Sequence, residues 1–237
     1  MIIFYCSDIL SCPELSKEDS GHAVRVLRHR EGDEVTVVDG LGRFYRCAIA
    51  AAHPKHCQLQ ILEVTEERHW PYRVELAIAP TKNLDRMEWW IEKATEMGLD
   101  AFIPLKTRFS ERKELKTDRL RRIAVSAMKQ SLKATLPEVR EMTDIQAFLK
   151  EPFEGQKFIA HCMKDEPRKL LSHEVKPGTA VRVLIGPEGD FSPEEVSLAI
   201  QQGYVPVSLG EQRLRTETAA LASVHTIHII NELQVSE

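Results

Sequence analysis

The stretch VRVLIGPEGDFSPEEVSLAIQQGYVPVSLGEQRLRTETAALASVHTIHII, residues 181–230, decides the fold. Its two short apolar runs, VRVLI (181–185) and VPVSL (205–209), lack the polar alternation of a half-exposed strand, as a parallel sheet covered by helices on both faces requires. Between them, Ser192-Pro193-Glu194-Glu195 is a capping box with proline in the first helical turn, and Gly203 closes that helix. AALASVHTIHII (219–230) is small and apolar, the composition of a helix buried against a sheet. Toward the N-terminus the same rhythm repeats, with expected strands VELAIA (74–79), AFIPL (101–105) and KFIAHC (157–162). Asp85 with Glu88 is expected to cap a helix over Asp85–Met97, Gly98 to stop it, and Met87, Ile91, Ala94 and Met97 to share its apolar face. Residues 71–237 therefore read as an α/β domain with an open parallel sheet.

Residues 1–70 read differently. Val35–Val38 and Phe44–Ile49 are β-prone runs joined by Asp39-Gly40-Leu41-Gly42, a hairpin signal, and Cys57–Val64 is a third run. One helix is expected ahead of them, with Ser16 and Asp19 as its cap and HAVRVLR (22–28) in helical spacing. The charged, proline-containing segment Thr65–Pro71 marks the boundary between a small β-rich domain and the α/β domain.

Of the 237 residues, 43% are apolar and 29% charged, a globular balance that excludes wholesale disorder and coiled coil. The five cysteines are scattered without a Cys-x-x-Cys pair, as suits free thiols in a reducing compartment. No basic leader precedes the short apolar run MIIFYC and no membrane-length apolar stretch follows, so the cytoplasm is the expected location. The net charge of −4 hides an uneven distribution: Lys106–Lys133 holds ten basic residues against three acidic ones. On a helix starting near Thr117, Leu120, Ile123, Ala124 and Ala127 face one way, and Arg119, Arg122, Lys129 and Lys133 the other. This stripe suits phosphate contact, as Arg108 and Arg112 ahead of it do; a solvated helix face is the alternative, but such faces mix signs and this one does not from Arg119 through Lys133. His22, Arg25, Arg28 and Arg30 form a second acid-free cluster, which a solvated helix end explains equally.

Ligands of open parallel sheets bind where loops leave the carboxyl ends of strands. Two loops qualify, Gly186-Pro187-Glu188-Gly189-Asp190-Phe191 and Gly210-Glu211-Gln212-Arg213-Leu214-Arg215. The first alone is ordinary turn chemistry. In the second, Arg213 and Arg215 with Glu217 and Thr218 crowd the mouth of the last helix, for which Thr216 is the expected N-cap, and packing does not explain two arginines there. Neither dinucleotide nor P-loop fingerprint is present, nor a Gly-x-Ser-x-Gly elbow. His53, His56 and Cys57 form the one local metal-ligand cluster, without finger spacing, so no metal is expected.

LDRMEWWIEKATEMG (84–98), VLIGPEGDFSPEE (183–195) and SLGEQRLRTETAA (208–220) resemble signature segments of the ribosomal RNA methyltransferases that modify uridine N3 in small-subunit RNA, within the SPOUT or α/β-knot superfamily. HAVRVLRHREGDEVTVVDGLG (22–42) resembles that family's PUA-like β-barrel, so the likeness covers both domains. Lys129-Gln130-Ser131-Leu132-Lys133, Lys82-Asn83-Leu84-Asp85 and Gly210-Glu211-Gln212 depart from the family's usual residues. The resemblance implies a trefoil-knotted methyltransferase domain behind the PUA-like domain, a homodimer, and small-subunit ribosomal RNA in the assembled 30S particle as partner. It implies S-adenosylmethionine held by Ile185, Gly186, Pro187, Glu188 and Gly189 on one side and by Ser208, Leu209, Gly210, Leu214 and Thr218 on the other. For the chemistry, Arg215 or Arg86 would stabilise charge on the uracil oxygens; Glu217, with Glu88 second, would take the N3 proton. For Glu217 the plainer reading is an acid favoured by the helix dipole. Transfer RNA or large-subunit RNA as substrate, and a non-catalytic assembly factor on the same fold, are the alternatives.

Overall fold

The computed structural model describes residues 2–163 and 167–234. By contact density the chain divides into a small unit, Met1–His69 with Ala124–Leu136, and a large unit, Trp70–Ile123 with Pro137–Glu237. No helix among the described residues is long and apolar enough to cross a membrane.

The small unit is a four-stranded sheet in the order β1-β2-β3-β4: β1 Ile3–Tyr5, β2 Glu34–Val38, β3 Arg43–Ala51 and β4 Gln58–Glu66. β2, β3 and β4 are antiparallel neighbours and β1 runs parallel to β2, with Ile3 opposite Thr36. The β2–β3 turn forms as its sequence demands. Asp39 Oδ1 accepts from the Leu41 and Arg43 amides, Oδ2 accepts from Tyr45, and Gly40 and Gly42 take φ of 80° and 91°. Phe4, Leu15, Val37, Tyr45 and Ile49 fill the core. The Ser16 hydroxyl caps α1 (Lys17–Gly21) by accepting from the Asp19 amide, but the expected continuous helix instead passes into a π-helical turn at His22–Val26. β1 had no sequence expectation.

The large unit is one parallel sheet in the order β10-β12-β9-β11-β5-β6-β7. Its main strands are β5 Val74–Ile78, β6 Ala101–Lys106, β9 Gln156–Ala160, β11 Val181–Ile185 and β12 Val205–Ser208, close to the expected runs. Three two-residue strands were not foreseen: β7 Glu138–Val139, β8 Thr143–Asp144, paired with β6, and β10 Lys169–Leu170. Every residue of β5 and β11 is buried, so neither strand shows a solvent-facing polar row, and their one charge each, Glu75 and Arg182, pair with one another at 2.8 Å. The helices are α2 Leu84–Met97, α3 Asp118–Gln130, the single turns α4 Ile145–Phe148 and α5 Leu171–Glu174, α6 Pro193–Gln201 and α7 Thr216–Gln234. α6 has the anticipated reciprocal Ser192–Glu195 capping box. α2 corrects the expected cap: the Asn83 side chain accepts from the Asp85 amide, and Gly98 ends the helix at φ 100°. Met97 is exposed, and Trp90 and Thr95 complete the buried face instead. The second half of α3 belongs to the small unit, which chain order does not suggest.

Candidate active site

Parallel strands bring the loops after β5, β11 and β12 out at one end of the sheet. The N-terminal turns of α2 and α7 meet there in a cleft of about 600 Å³, lined by Asp85, Arg86 and Trp89 from α2 and by Arg213, Leu214, Arg215, Glu217 and Thr218. Thr216 ties the two glycine loops together: it is the first residue of α7 rather than its expected N-cap, and its buried hydroxyl donates to the Gly186 carbonyl at 3.1 Å. Asp190, at φ 65°, accepts from the Phe191 amide through Oδ1 and from the Cys162 amide through Oδ2 at 2.7 Å, joining the loop after β11 to the segment after β9.

Four of the expected site residues share the cleft with Glu217: Arg86, Arg215, Leu214 and Thr218. Glu217 is 6% exposed, its Oε1 lies 3.7 Å from Arg86 Nε, and its Oε2 is buried without a hydrogen-bond partner among the described residues. Leaving such an oxygen unsatisfied costs about 1–3 kcal/mol, so it marks a place where stability is given up. Glu88 does not line the cleft; its Oε2 accepts from Arg119 at 2.7 Å. Helical spacing explains the split, because Asp85, Arg86 and Trp89 share a face on which Glu88 does not lie.

Ile185, Gly186 and Pro187 are buried at the end of β11, whereas Glu188 and Gly189 are exposed, and Glu188 Oε1 accepts from the Lys82 amide at 3.2 Å. A Cβ on Gly189 would meet Phe109 at 3.2 Å. Gly210 is exposed at φ 123° with nothing within 4 Å of a Cβ position, beside half-buried Ser208 and Leu209. Both glycines leave bare backbone facing open space or a single ring.

The basic residues fall into two groups. Arg112 donates to the Lys82 carbonyl at 2.7 Å and to that of Thr81 at 3.4 Å, holding the loop ahead of α2. Lys129 pairs with the nearly buried Asp19 at 2.7 Å inside the small unit. The stripe is thus not uniformly free, because acids distant in sequence compensate it. Arg108 pairs with Glu194 at 3.1 Å and Arg119 with Glu88, both at exposed arginines. The Glu194 carboxyl is held below its usual range by backbone amide bonding at the start of α6, then by Ser192 and Arg108. Arg122 is exposed with no partner among the described residues, Lys133 is half-buried, and His22, Arg25, Arg28 and Arg30 are exposed on the small unit. In the His53/His56/Cys57 cluster the two rings stack at 5.7 Å, His56 bonds Glu14, and Cys57 is buried. Among the described residues no group of three His, Cys, Asp or Glu is arranged to hold a metal.

Sequence reasoning passed over Trp89, read Asp85 only as a cap, and gave Asp190 no role. A doublet such as Trp89-Trp90 on an amphipathic helix contains its own signal, since 3.6-residue periodicity buries one ring and leaves the other out. Trp90 is fully buried and Trp89 is 45% exposed.

An RNA methyltransferase domain family model matches residues 68–228, and an RNA methyltransferase PUA domain model matches residues 15–62. The chain is 33% identical over 214 residues to the ribosomal RNA small subunit methyltransferase E of Synechocystis, covering 88% of this chain and 70% of that one. A Porphyromonas gingivalis structure described as a probable rRNA-methyltransferase superposes with a TM-score of 0.93 at 41% identity, covering 99% of this chain and 100% of that one. The ribosomal RNA small subunit methyltransferase E of Neisseria gonorrhoeae, solved with bound S-adenosyl methionine, superposes at 0.82 with 26% identity, covering 97% of this chain and 98% of that one. With both domains matched and the cleft lying within the catalytic one, the chain belongs to the RNA methyltransferase family, among the small-subunit ribosomal RNA methyltransferases.

Proposed function

We propose that this protein uses S-adenosylmethionine to methylate N3 of one uridine in 16S ribosomal RNA. Glu217 carries the reading. Uracil presents an acceptor, a donor and an acceptor along O2, N3–H and O4, and N3 is a poor nucleophile until its proton leaves. The cleft offers the complementary set: a buried carboxylate oxygen with no partner, in company with the guanidinium groups of Arg86 and Arg215. Cytosine has no N3 proton to give and turns an amino group toward those arginines.

S-adenosylmethionine, when bound, supplies an electrophilic methyl group on a sulfonium. The residues fit such a ligand, because Gly189 and Gly210 bare the backbone of the two loops that Thr216 ties together. We assign the cofactor to Ile185, Gly186, Pro187, Glu188 and Gly189, and to Ser208, Leu209, Gly210, Leu214 and Thr218; the choice of S-adenosylmethionine itself is supported by the Neisseria relative solved with it. Glu217 accepts the N3 proton, which neutralises its pairing with Arg86. Arg86 is then released, with Arg215, to donate to the uracil oxygens on which negative charge collects. The bound sulfonium would supply the methyl that the deprotonated N3 takes up, its sulfur keeping the bonding pair, and Glu217 would then return its proton to water. The chain's contribution is alignment and charge control.

For RNA contact we assign His22, Arg25, Arg28 and Arg30 on the PUA-matched unit, and Arg108, Arg119 and Arg122 on the large unit. Exposed ion pairs such as Arg108–Glu194 are weak enough to yield to phosphate. Arg112 and Lys129 serve as internal ties, and Lys133 stays with the RNA set. The working form under this reading is a homodimer acting on the assembled 30S subunit. The test is incubation with labelled S-adenosylmethionine and 30S subunits from cells lacking the endogenous enzyme, followed by nucleoside analysis. 3-Methyluridine at one site is the expected product. Label on another RNA would move the substrate, and absence of cofactor binding would favour an assembly factor.

A further inference from the structure

Trp89 stands apart from the hydrophobic core. Its neighbour Trp90 is fully buried and packs edge-on against Phe102 at 5.0 Å, whereas Trp89 is 45% exposed, makes no ring contact or hydrogen bond among the described residues, and lines the cleft beside Arg86, Glu217 and Thr218. A single exposed apolar side chain is commonplace. A tryptophan standing in the same cleft as a partnerless buried carboxylate oxygen and two arginines is a different matter, because these groups divide recognition between them. The polar groups can satisfy only the edge of a planar base, and an edge alone leaves the base free to tilt. A base removed from its stack also loses its neighbours above and below, and an aromatic face replaces one of them.

We propose that Trp89 is the stacking platform for the extruded nucleobase, holding the plane of the ring while Glu217, Arg86 and Arg215 read its edge. This inference rests on the reading of the cleft as the methylation site. It assigns a substrate-positioning residue to α2, on the face one turn beyond Asp85 and next to Arg86. Stacking tolerates any base, so Trp89 contributes grip, and discrimination between uracil and cytosine stays with the edge.

The experiment compares the full-length protein with Trp89→Ala and Trp89→Phe at saturating S-adenosylmethionine. Three quantities are measured: single-turnover methyl transfer to unmodified 30S subunits, cofactor affinity by calorimetry, and affinity for a short single-stranded oligoribonucleotide carrying either a uridine or an abasic site. Trp89→Ala is expected to slow transfer roughly tenfold to a hundredfold and to lose the preference for uridine over the abasic site, with cofactor affinity, melting temperature and oligomeric state unchanged. Trp89→Phe is expected to restore most of both. Transfer by Trp89→Ala at the wild-type rate overturns the proposal. So does a phenylalanine variant as impaired as the alanine one, or a loss traced to cofactor affinity or subunit dissociation. If the wild type makes no 3-methyluridine, the functional reading has failed instead, and the abasic comparison still decides whether Trp89 stacks a base.

Discussion

Replacing Glu217 with glutamine keeps the shape of the side chain and removes its charge and proton-accepting oxygen. The effect on stability follows from the site. At the 3.7 Å separation from Arg86, an effective dielectric of about 20 gives a bare attraction of roughly 4 kcal/mol. Arg86 is 36% exposed, and solvent screening reduces the net value to about 1 kcal/mol or less. For a chain of this size that is a fall in Tm of about 2–4 °C. The kinetic effect should be far larger, because a positioned general base is worth about 10²–10⁴ in rate, or roughly 3–5 kcal/mol of barrier. Single-turnover methylation of unmodified 30S subunits at saturating S-adenosylmethionine should therefore fall by at least about a hundredfold. Cofactor affinity should hold, and the residual rate should keep rising with pH as hydroxide takes over proton removal. A Glu217→Gln enzyme within threefold of the wild-type rate, with normal cofactor affinity, would refute the assignment of the base.

Other expectations test the frame around the site. Gly98→Ala should lower Tm by at least about 6 °C, since a Cβ at φ 100° would stand 2.5 Å from the Trp70 ring and 3.0 Å from His228, and displacing Trp70 breaks its bond to Asp100; a fall under 2 °C on thermal melting would contradict this. Burial pushes the Cys6 and Cys47 thiols up to about 11 from an ordinary 9.0. Folding thus favours their neutral form, so stability is full below pH 9 and declines between pH 9 and 11 as unfolded thiols ionise; denaturant melts across that range check the sign. At pH 8, iodoacetamide should label exposed Cys12 and Cys162 well before Cys6, Cys47 or Cys57. Arg122→Ala should weaken RNA binding and flatten its salt dependence by a slope of about 0.7–0.9. Lys129→Met should leave that slope unchanged and cost about 1–3 kcal/mol of stability, by stranding Asp19 at 8% exposure. Salt titrations and melting curves on the two variants separate the roles.

Local sequence determined the elements of this protein. The apolar runs that became β5, β6, β9, β11 and β12 were legible because a strand covered on both faces shows no regular polar alternation; the buried charges Glu75 and Arg182 in β5 and β11 pair with each other at 2.8 Å. The Ser192 cap of α6 and the Asp39 turn were legible because their hydrogen bonds close within four residues. The loops after β11 and β12, and Arg215 and Glu217 as residues of interest, followed from a rule about strand ends that needs only element order, whereas Arg86 came from the family resemblance alone. What lay beyond sequence were pairings between distant residues. Arg119 and Lys129 read as one free basic stripe, but Glu88 and Asp19 come from 31 and 110 residues away to neutralise them. Glu217 and, second to it, Glu88 both read as candidate bases, and only packing turns Glu88 toward Arg119 and buries an oxygen of Glu217, partnerless among the described residues, in a cleft with Trp89. Periodicity states which face of a helix is apolar; what stands opposite the other face is set by chain crossings whose contacts span most of the sequence, and those exist only once the sheet has formed.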